Sequence, residues 1–348
     1  MRPYLLLAIL SSAITLLPQH AQAQTAAPSA QPASPSPSSP PSSQGSGSID
    51  VVGARILSDP LYLPLQGQVY GATAYTLDMP KGDNFKAGVN TGSFSASDDL
   101  INQTFAYGVL NSLAIRVTFG YGSNSRDSTA ATTGDVTTGN ASGFNDPTFS
   151  VTFRPLDEPR SPVILDLTVS YSPNTFASET AGGTSNGTIA RGGQATGLSF
   201  ALGRVMKSFT IAGTAASTYD GAQTNELLSN GTSTASGAFW SYTFGLVTET
   251  RFTERVSLDA GVTVSTSASY AVSNVQNGNP RTYAPPSTRA LNIAMNYHFR
   301  PNRLVGSFTY SYDNDTTSTN TFAKASSDTA VENRMGNVVG FRLLYAFN

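Results

Sequence analysis

Bulky apolar residues fall on every second position through twelve separate stretches of this chain, the period at which successive side chains of a strand point to opposite faces. The pattern is plainest at the end, where Val339, Phe341, Leu343, Tyr345 and Phe347 alternate with Gly340, Arg342, Leu344 and Ala346. The first stretch, about Gln68 to Met79, opposes Val69, Thr73, Tyr75 and Leu77 to Ala72, Ala74, Thr76 and Asp78. The second runs about Leu100 to Val109, and the third sets Leu113, Ile115, Val117, Phe119 and Tyr121 against Ala114, Arg116, Thr118 and Gly120. Phe149, Val151 and Phe153 mark the fourth, Val163, Leu165, Leu167, Val169 and Tyr171 the fifth, and Leu198, Phe200 and Leu202 the sixth. The seventh runs from Phe209 to Tyr219, and the eighth carries Trp240, Tyr242, Phe244, Leu246 and Phe252. The ninth is predicted as one long strand from Val256 to about Val272, with Leu258, Val262, Val264 and Tyr270 outward. Leu291, Ile293, Met295, Tyr297 and Phe299 define the tenth, and Phe308, Tyr310 and Tyr312 the eleventh.

The connections carry a second pattern. Short ones lie near Leu110 to Ser112, Pro155 to Pro162, Arg204 to Ser208, Thr253 to Arg255 and Arg300 to Arg303. Long ones, rich in Ser, Thr, Asn and Gly, occupy about Pro80 to Asp99, Ser123 to Asp146, Pro173 to Gln194, Asp220 to Gly237, Ser273 to Thr288 and Asp313 to Asn333. Short and long alternate without exception, as in bacterial barrels with short periplasmic turns and longer extracellular loops. Outward aromatics gather at both strand ends with Leu, Val and Ile between them, matching the two interfaces of a bilayer. A secreted β-sandwich also alternates, but its exterior needs Lys and Glu, whereas the polar face here is Ser, Thr, Gly, Ala and Asn. The prediction is an all-β fold: a transmembrane antiparallel up-and-down β-barrel of about twelve strands.

The N-terminus divides into three parts. Residues 1–23 carry Arg2, an apolar run from Leu5 to Leu17 and the triplet Ala21-Gln22-Ala23, the signature of a cleaved secretory signal peptide. Residues 24–48 are almost wholly Ala, Gln, Pro, Ser and Gly, too poor in apolar side chains to offset ordering entropy, and read as a disordered periplasmic linker able to reach peptidoglycan or a partner. Residues 49–66, interrupted by Pro60 and Pro64, read as an extended lead-in that could obstruct the lumen of a barrel spanning residues 67–348. The expected location is the outer membrane of a Gram-negative cell, with lipids, the barrel-assembly machinery and small solutes as partners.

Composition narrows the function. With no cysteine, thiolate metal sites, cysteine nucleophiles and disulfides are excluded. Only 12% of residues are charged and the formal charge is −2, which leaves no basic footprint for nucleic acid. Asp313 and Asp315 resemble the start of a calcium loop but lack its Gly and distal Glu, so no metal and no cofactor are predicted. Beyond the leader the sole histidine is His298, phased with Asn292, Ala294 and Asn296 toward the lumen and close to a short turn. That is the wrong face for a lipid hydrolase and the wrong end for a mouth protease, so no enzyme is predicted.

The inward charges are the candidate functional residues. Arg154, Asp166, Glu249, Arg251, Asp259 and Arg300, with His298, gather toward the turn ends, while Arg116 and Arg342 lie nearer mid-height. Arg154 with Asp166, and Arg251 with Asp259, are expected to pair across neighbouring strands, since an isolated charge in a narrow passage is costly. Arg116 and Arg342 would meet across the bore as a constriction that tunes which solutes pass. The leading reading is a channel for passive diffusion of small solutes; the alternative is a closed structural or adhesin-like barrel displaying six polar loops.

Two motifs add a resemblance. Asp59-Pro-Leu-Tyr-Leu-Pro leading to Gly67-Gln-Val-Tyr, and Gly143-Phe-Asn-Asp-Pro before a strand, resemble the outer-membrane barrels grouped as the phenol-degradation meta-pathway family. The resemblance implies uptake of aromatic or other hydrophobic compounds. Asn145 stands where that family usually has Gly, and Asn348 follows the terminal aromatic.

Overall fold

The computed structural model describes residues 57–157, 161–180, 187–227, 232–274, 280–300, 302–323 and 328–347. The signal peptide, the Pro/Ser-rich linker and the first part of the lead-in lie outside the described residues. Twenty strands occur among those described: β1 (Val69–Asp78), β2 (Lys81–Lys86), β3 (Val89–Leu110), β4 (Leu113–Ala130), β5 (Val136–Phe144), β6 (Thr148–Leu156), β7 (Ile164–Ser172), β8 (Glu179–Thr180), β9 (Ala195–Val205), β10 (Phe209–Asp220), β11 (Gln223–Leu227), β12 (Thr232–Ser236), β13 (Phe239–Arg251), β14 (Val256–Ser267), β15 (Tyr270–Asn274), β16 (Arg281–Ala284), β17 (Thr288–Arg300), β18 (Leu304–Asp315), β19 (Ser318–Phe322) and β20 (Thr329–Phe347).

Twelve of these are the staves of a closed transmembrane barrel, each antiparallel to its neighbours in the order β1, β3, β4, β6, β7, β9, β10, β13, β14, β17, β18, β20. The seam between first and last staves runs from Val69 opposite Phe347 to Asp78 opposite Val338. Closure leaves no edge strand, which a hydrocarbon surround demands because it offers unpaired N–H and C=O groups no partner. The outer face carries the predicted apolar positions: Leu202, Phe244, Leu246, Val262, Leu291, Met295 and Phe308 are all exposed. Phe252, Phe299 and Phe347 are exposed at the turn end, and Phe149, Tyr171, Tyr219 and Trp240 at the loop end. Soluble monomers rarely tolerate a continuous apolar belt of this kind; in a bilayer it is the solvated surface.

The structure departs from the sequence reading at the loop end. The long connections hold the remaining strands, which lengthen the wall into a collar above the staves. β2 bridges β3 and β20, β5 extends β4, and β11, β12, β15, β16, β19 and β20 pair in succession. Thr, Ser and Asn suit these hairpins because both faces meet water, so no hydrophobic alternation marks them. The ninth stretch is two strands instead of one: it breaks at Ala268 and Ser269, and β15 then pairs with β12 and β16. The break reverses the facing of Tyr270, whose ring stacks at 4.3 Å on inward-phased Phe239, so it is not an outward girdle residue.

One outward position is polar and yet buried. Gln103 on β3 accepts from the Thr73 hydroxyl at 2.6 Å and donates to the Tyr345 hydroxyl at 2.7 Å, joining β3, β1 and β20 across the closing seam. In hydrocarbon such groups must find each other, so the three side chains form a closed set on the lipid side.

The lead-in enters the barrel. Asp59, Pro60, Leu61 and Tyr62 form a turn in which the Tyr62 N–H donates to the Asp59 carbonyl at 2.9 Å, with Pro at its favoured second position. Leu61 packs with Ile164 and Ala212, and Leu57 with Val305, Leu344 and Ala346. Gly67, at φ 80°, swings the chain from the lumen into β1. Gly108 lets the lead-in cross the end of β3, since a Cβ there would lie 2.0 Å from the Leu65 carbonyl oxygen.

Candidate functional site: the lumen of the barrel

Strand periodicity aims the polar half of every stave into the lumen, which has a floor and a chamber. The floor lies at the turn end around the lead-in. Arg154 on β6 is fully buried and grips Asp166 on β7 with two bonds, Nε to Oδ1 at 2.5 Å and Nη2 to Oδ2 at 2.7 Å, and also donates to the Leu61 carbonyl. Arg251 on β13 pairs with Asp59 at 3.1 Å and lies 3.7 Å from Glu249. It does not pair with Asp259 as strand adjacency suggests, because Arg251 stands opposite Ser257 and the lead-in delivers a nearer carboxylate. Asp59 also accepts from the Thr210 hydroxyl at 2.9 Å, and its other oxygen from the Leu61 N–H at 2.8 Å.

The histidine belongs to this floor. His298 is 1% exposed, with Nε2 3.1 Å from the Ser257 hydroxyl. Ser257 and Ser58 both donate to Glu249 Oε1 at 2.7 Å, and Asn296 donates to Ser257 and Asp259. The acid therefore bonds the serine, while a charge-relay triad needs it on the far nitrogen of the imidazole. Beneath the lead-in, these groups form a hydrogen-bonded network that anchors the segment to the wall.

The chamber lies above the floor. A cavity of about 400 Å³ has a mostly apolar wall, with Val247, Ile293, Ala294 and Val338 among its lining, into which Thr214, Asn292, Thr309, Asp259 and Arg342 bring polar groups. The small residues leave the space, and hydroxyls span neighbouring staves: Thr104 with Thr118 at 2.9 Å, Thr152 with Thr168 at 2.8 Å and Thr243 with Ser265 at 2.9 Å. Arg342 lies 3.8 Å from Asp259. Arg116 faces inward on β4 and is nonetheless exposed, so the lumen beside it is open to solvent. Arg116 and Arg342 lie on staves separated by β1 and β3. Arg300 follows a bulge at the end of β17 and is exposed.

Both resemblance motifs have structural work. The first is the floor turn just described. In the second, Asp146 accepts the N–H groups of Thr175, Phe176 and Arg191, and Phe144 packs on Tyr121 and Phe176, which pins the connection after β7 to the mouth. Sequence reasoning missed Ser58, Thr210 and Ser257 as floor members. Their one signal is a hydroxyl at a turn-end inward position, which many staves share.

No protein-family model matches the chain, and no curated protein matches it in sequence. Among solved structures, it is similar to an outer membrane channel from Pseudomonas putida F1, with a TM-score of 0.53 and 13% identity over 82% of this chain and 97% of that one. It also aligns with the CymD monoaromatic hydrocarbon channel (TM-score 0.38, 10% identity, 82% of this chain, 90% of that one). A third is the outer membrane protease OmpT from Escherichia coli (TM-score 0.35, 9% identity, 80% of this chain, 97% of that one). The first likeness bears on the fold alone: a barrel of the outer-membrane type.

Proposed function

We propose that the chain is an outer-membrane channel for passive diffusion of small solutes, with the turns in the periplasm and the collar outside the cell. The observation that carries this reading is the chamber: an open space above the floor whose largely apolar wall carries hydroxyl and amide groups beside Asp259 and Arg342, with Arg116 exposed on the inward face of β4. In this reading Arg116 and Arg342 set a positive field that Asp259 partly offsets, and the floor restricts passage to small, hydrophilic solutes. The apolar share of the chamber wall suits the aromatic or hydrophobic cargo implied by the family resemblance, while Arg116, Arg342 and Asp259 suit polar solutes.

The test is conductance of the purified protein in planar bilayers, with solute flux into liposomes. Discrete channels are expected, and Arg116→Ala with Arg342→Ala should shift ion selectivity away from anions. Absence of both conductance and flux would overturn the channel. A second reading, a closed barrel whose collar is the functional surface, draws support from the filled floor. It gains if the protein is silent in bilayers and deletion of collar hairpins abolishes surface adhesion.

A further inference from the structure

The collar holds a second cavity, of about 350 Å³, distinct from the chamber. Register places its lining on one face of a small sheet: Ser236 stands opposite Val272, Val272 opposite Arg281, Tyr270 opposite Tyr283, and Tyr283 opposite Asn320. That face looks into the mouth, because Tyr270 stacks on inward-phased Phe239, and because Arg191, a lining residue, pairs at 3.1 Å with Asp220, which stands opposite Phe239. Two guanidinium groups and two phenol rings thus converge over a polar floor, in a volume typical of small-molecule sites.

The charges are not balanced. Asp220 pairs with Arg191, but no acidic group pairs with Arg281 among the described residues, and its Nε is buried without a hydrogen-bond partner. Its guanidinium lies 5.9 Å from the Phe322 ring centroid. Burial holds the Tyr270 phenol above its ordinary range, with Tyr283 adding to the effect and Arg281 opposing it, so Tyr270 stays a neutral donor. An unpaired, partly desolvated arginine is a carboxylate receptor, and hydroxyl and amide groups around it suit a ligand with hydroxyls of its own. We propose that this cavity is a recognition site for small hydroxylated carboxylates of the sugar-acid class, held by a carboxylate on Arg281 and by ligand hydroxyls on Ser236, Asn320 and Tyr283. The inference deepens the channel reading and rests on it for the role of the mouth: the site selects anions before they reach Arg116 and Arg342.

The experiment is calorimetric titration of the full chain in detergent with galacturonate, galactose and benzoate, beside galacturonate flux into liposomes. Galacturonate is expected to bind in the millimolar range or tighter, galactose and benzoate at least about tenfold more weakly, and Arg281→Gln to weaken galacturonate about tenfold while Arg255→Gln, at an exposed turn position, leaves it unchanged. No galacturonate binding, equal binding of benzoate, or an Arg281→Gln variant that binds like the parent would each overturn the site. Because binding is read without a membrane, binding without flux retires the channel and keeps the site, while flux without binding does the reverse.

Discussion

The floor and the chamber are built from the same staves on opposite plans. β13 gives Glu249 and Arg251 to the floor and Gly245 to the chamber; β14 gives Ser257 below and Gly261 and Thr263 above; β17 gives Asn296 and His298 below and Asn292 above. Along each strand, large or charged inward residues give way to small ones within two turns of the pleat. The floor is closed to solvent, with Glu249, Ser257 and Asn296 at 0% exposure, and its bonds run to the lead-in or a neighbouring stave, while Arg154 Nη1, Asn296 Oδ1 and His298 Nδ1 are left without a hydrogen-bond partner. The chamber is open, so water can reach its hydroxyls as an alternative to each other. Identical chemistry should therefore be costly to disturb in one region and nearly free in the other.

The severest test is Arg154. Replacing it with Ala strands Asp166 in the floor and frees the Leu61 carbonyl, and breaking a buried pair from one side costs about 3–5 kcal/mol. Urea unfolding of the detergent-folded barrel should show that loss. Arg154→Met combined with Asp166→Leu should recover most of it, since two apolar residues of similar size remove the unpaired charge. If the single variant unfolds like the parent, the floor is not the closed, interdependent region described here.

Next in size is Leu61→Ala. Leu61 is 1% exposed against Ile164 and Ala212, and deleting a buried leucine side chain costs about 2–4 kcal/mol in a core that cannot collapse. A barrel wall is such a core. The same change at Leu65, which is 58% exposed, should fall within about 0.5 kcal/mol. Equal effects at the two sites would mean that the lead-in does not dock as a turn.

Most of this architecture is legible in the sequence, and the illegible parts have a common cause. Alternation reports on a strand only where one face meets hydrocarbon, so the twelve staves and their facing are readable from Leu, Val, Phe and Tyr. The collar meets water on both sides, and its hairpins are hidden in runs such as Thr232–Ser236. The Arg154–Asp166 pair follows from strand adjacency, because both partners lie on neighbouring staves. Arg251 with Asp59 does not, since Asp59 comes from a segment that has no period and reaches the wall across 192 residues of sequence. Tyr270 misleads for a third reason: two non-strand residues, Ala268 and Ser269, change the facing of everything after them.

The smallest and sharpest comparison uses one substitution twice. Thr210 donates to the Asp59 carboxylate in the floor and is 0% exposed; Thr243 shares a hydroxyl bond with Ser265 on the chamber wall. Valine nearly conserves the volume of either side chain and removes the hydroxyl. At Thr210 it withdraws a bond to a charged group that water cannot replace, at a cost of about 1.5–3 kcal/mol. At Thr243 it leaves Ser265 facing solvent, and the loss should stay under about 0.5 kcal/mol. Unfolding midpoints of the two variants, measured side by side, put the difference between floor and chamber on a single scale; equal shifts would mean that water reaches both regions alike, and with it would go the claim that passage is restricted at the floor.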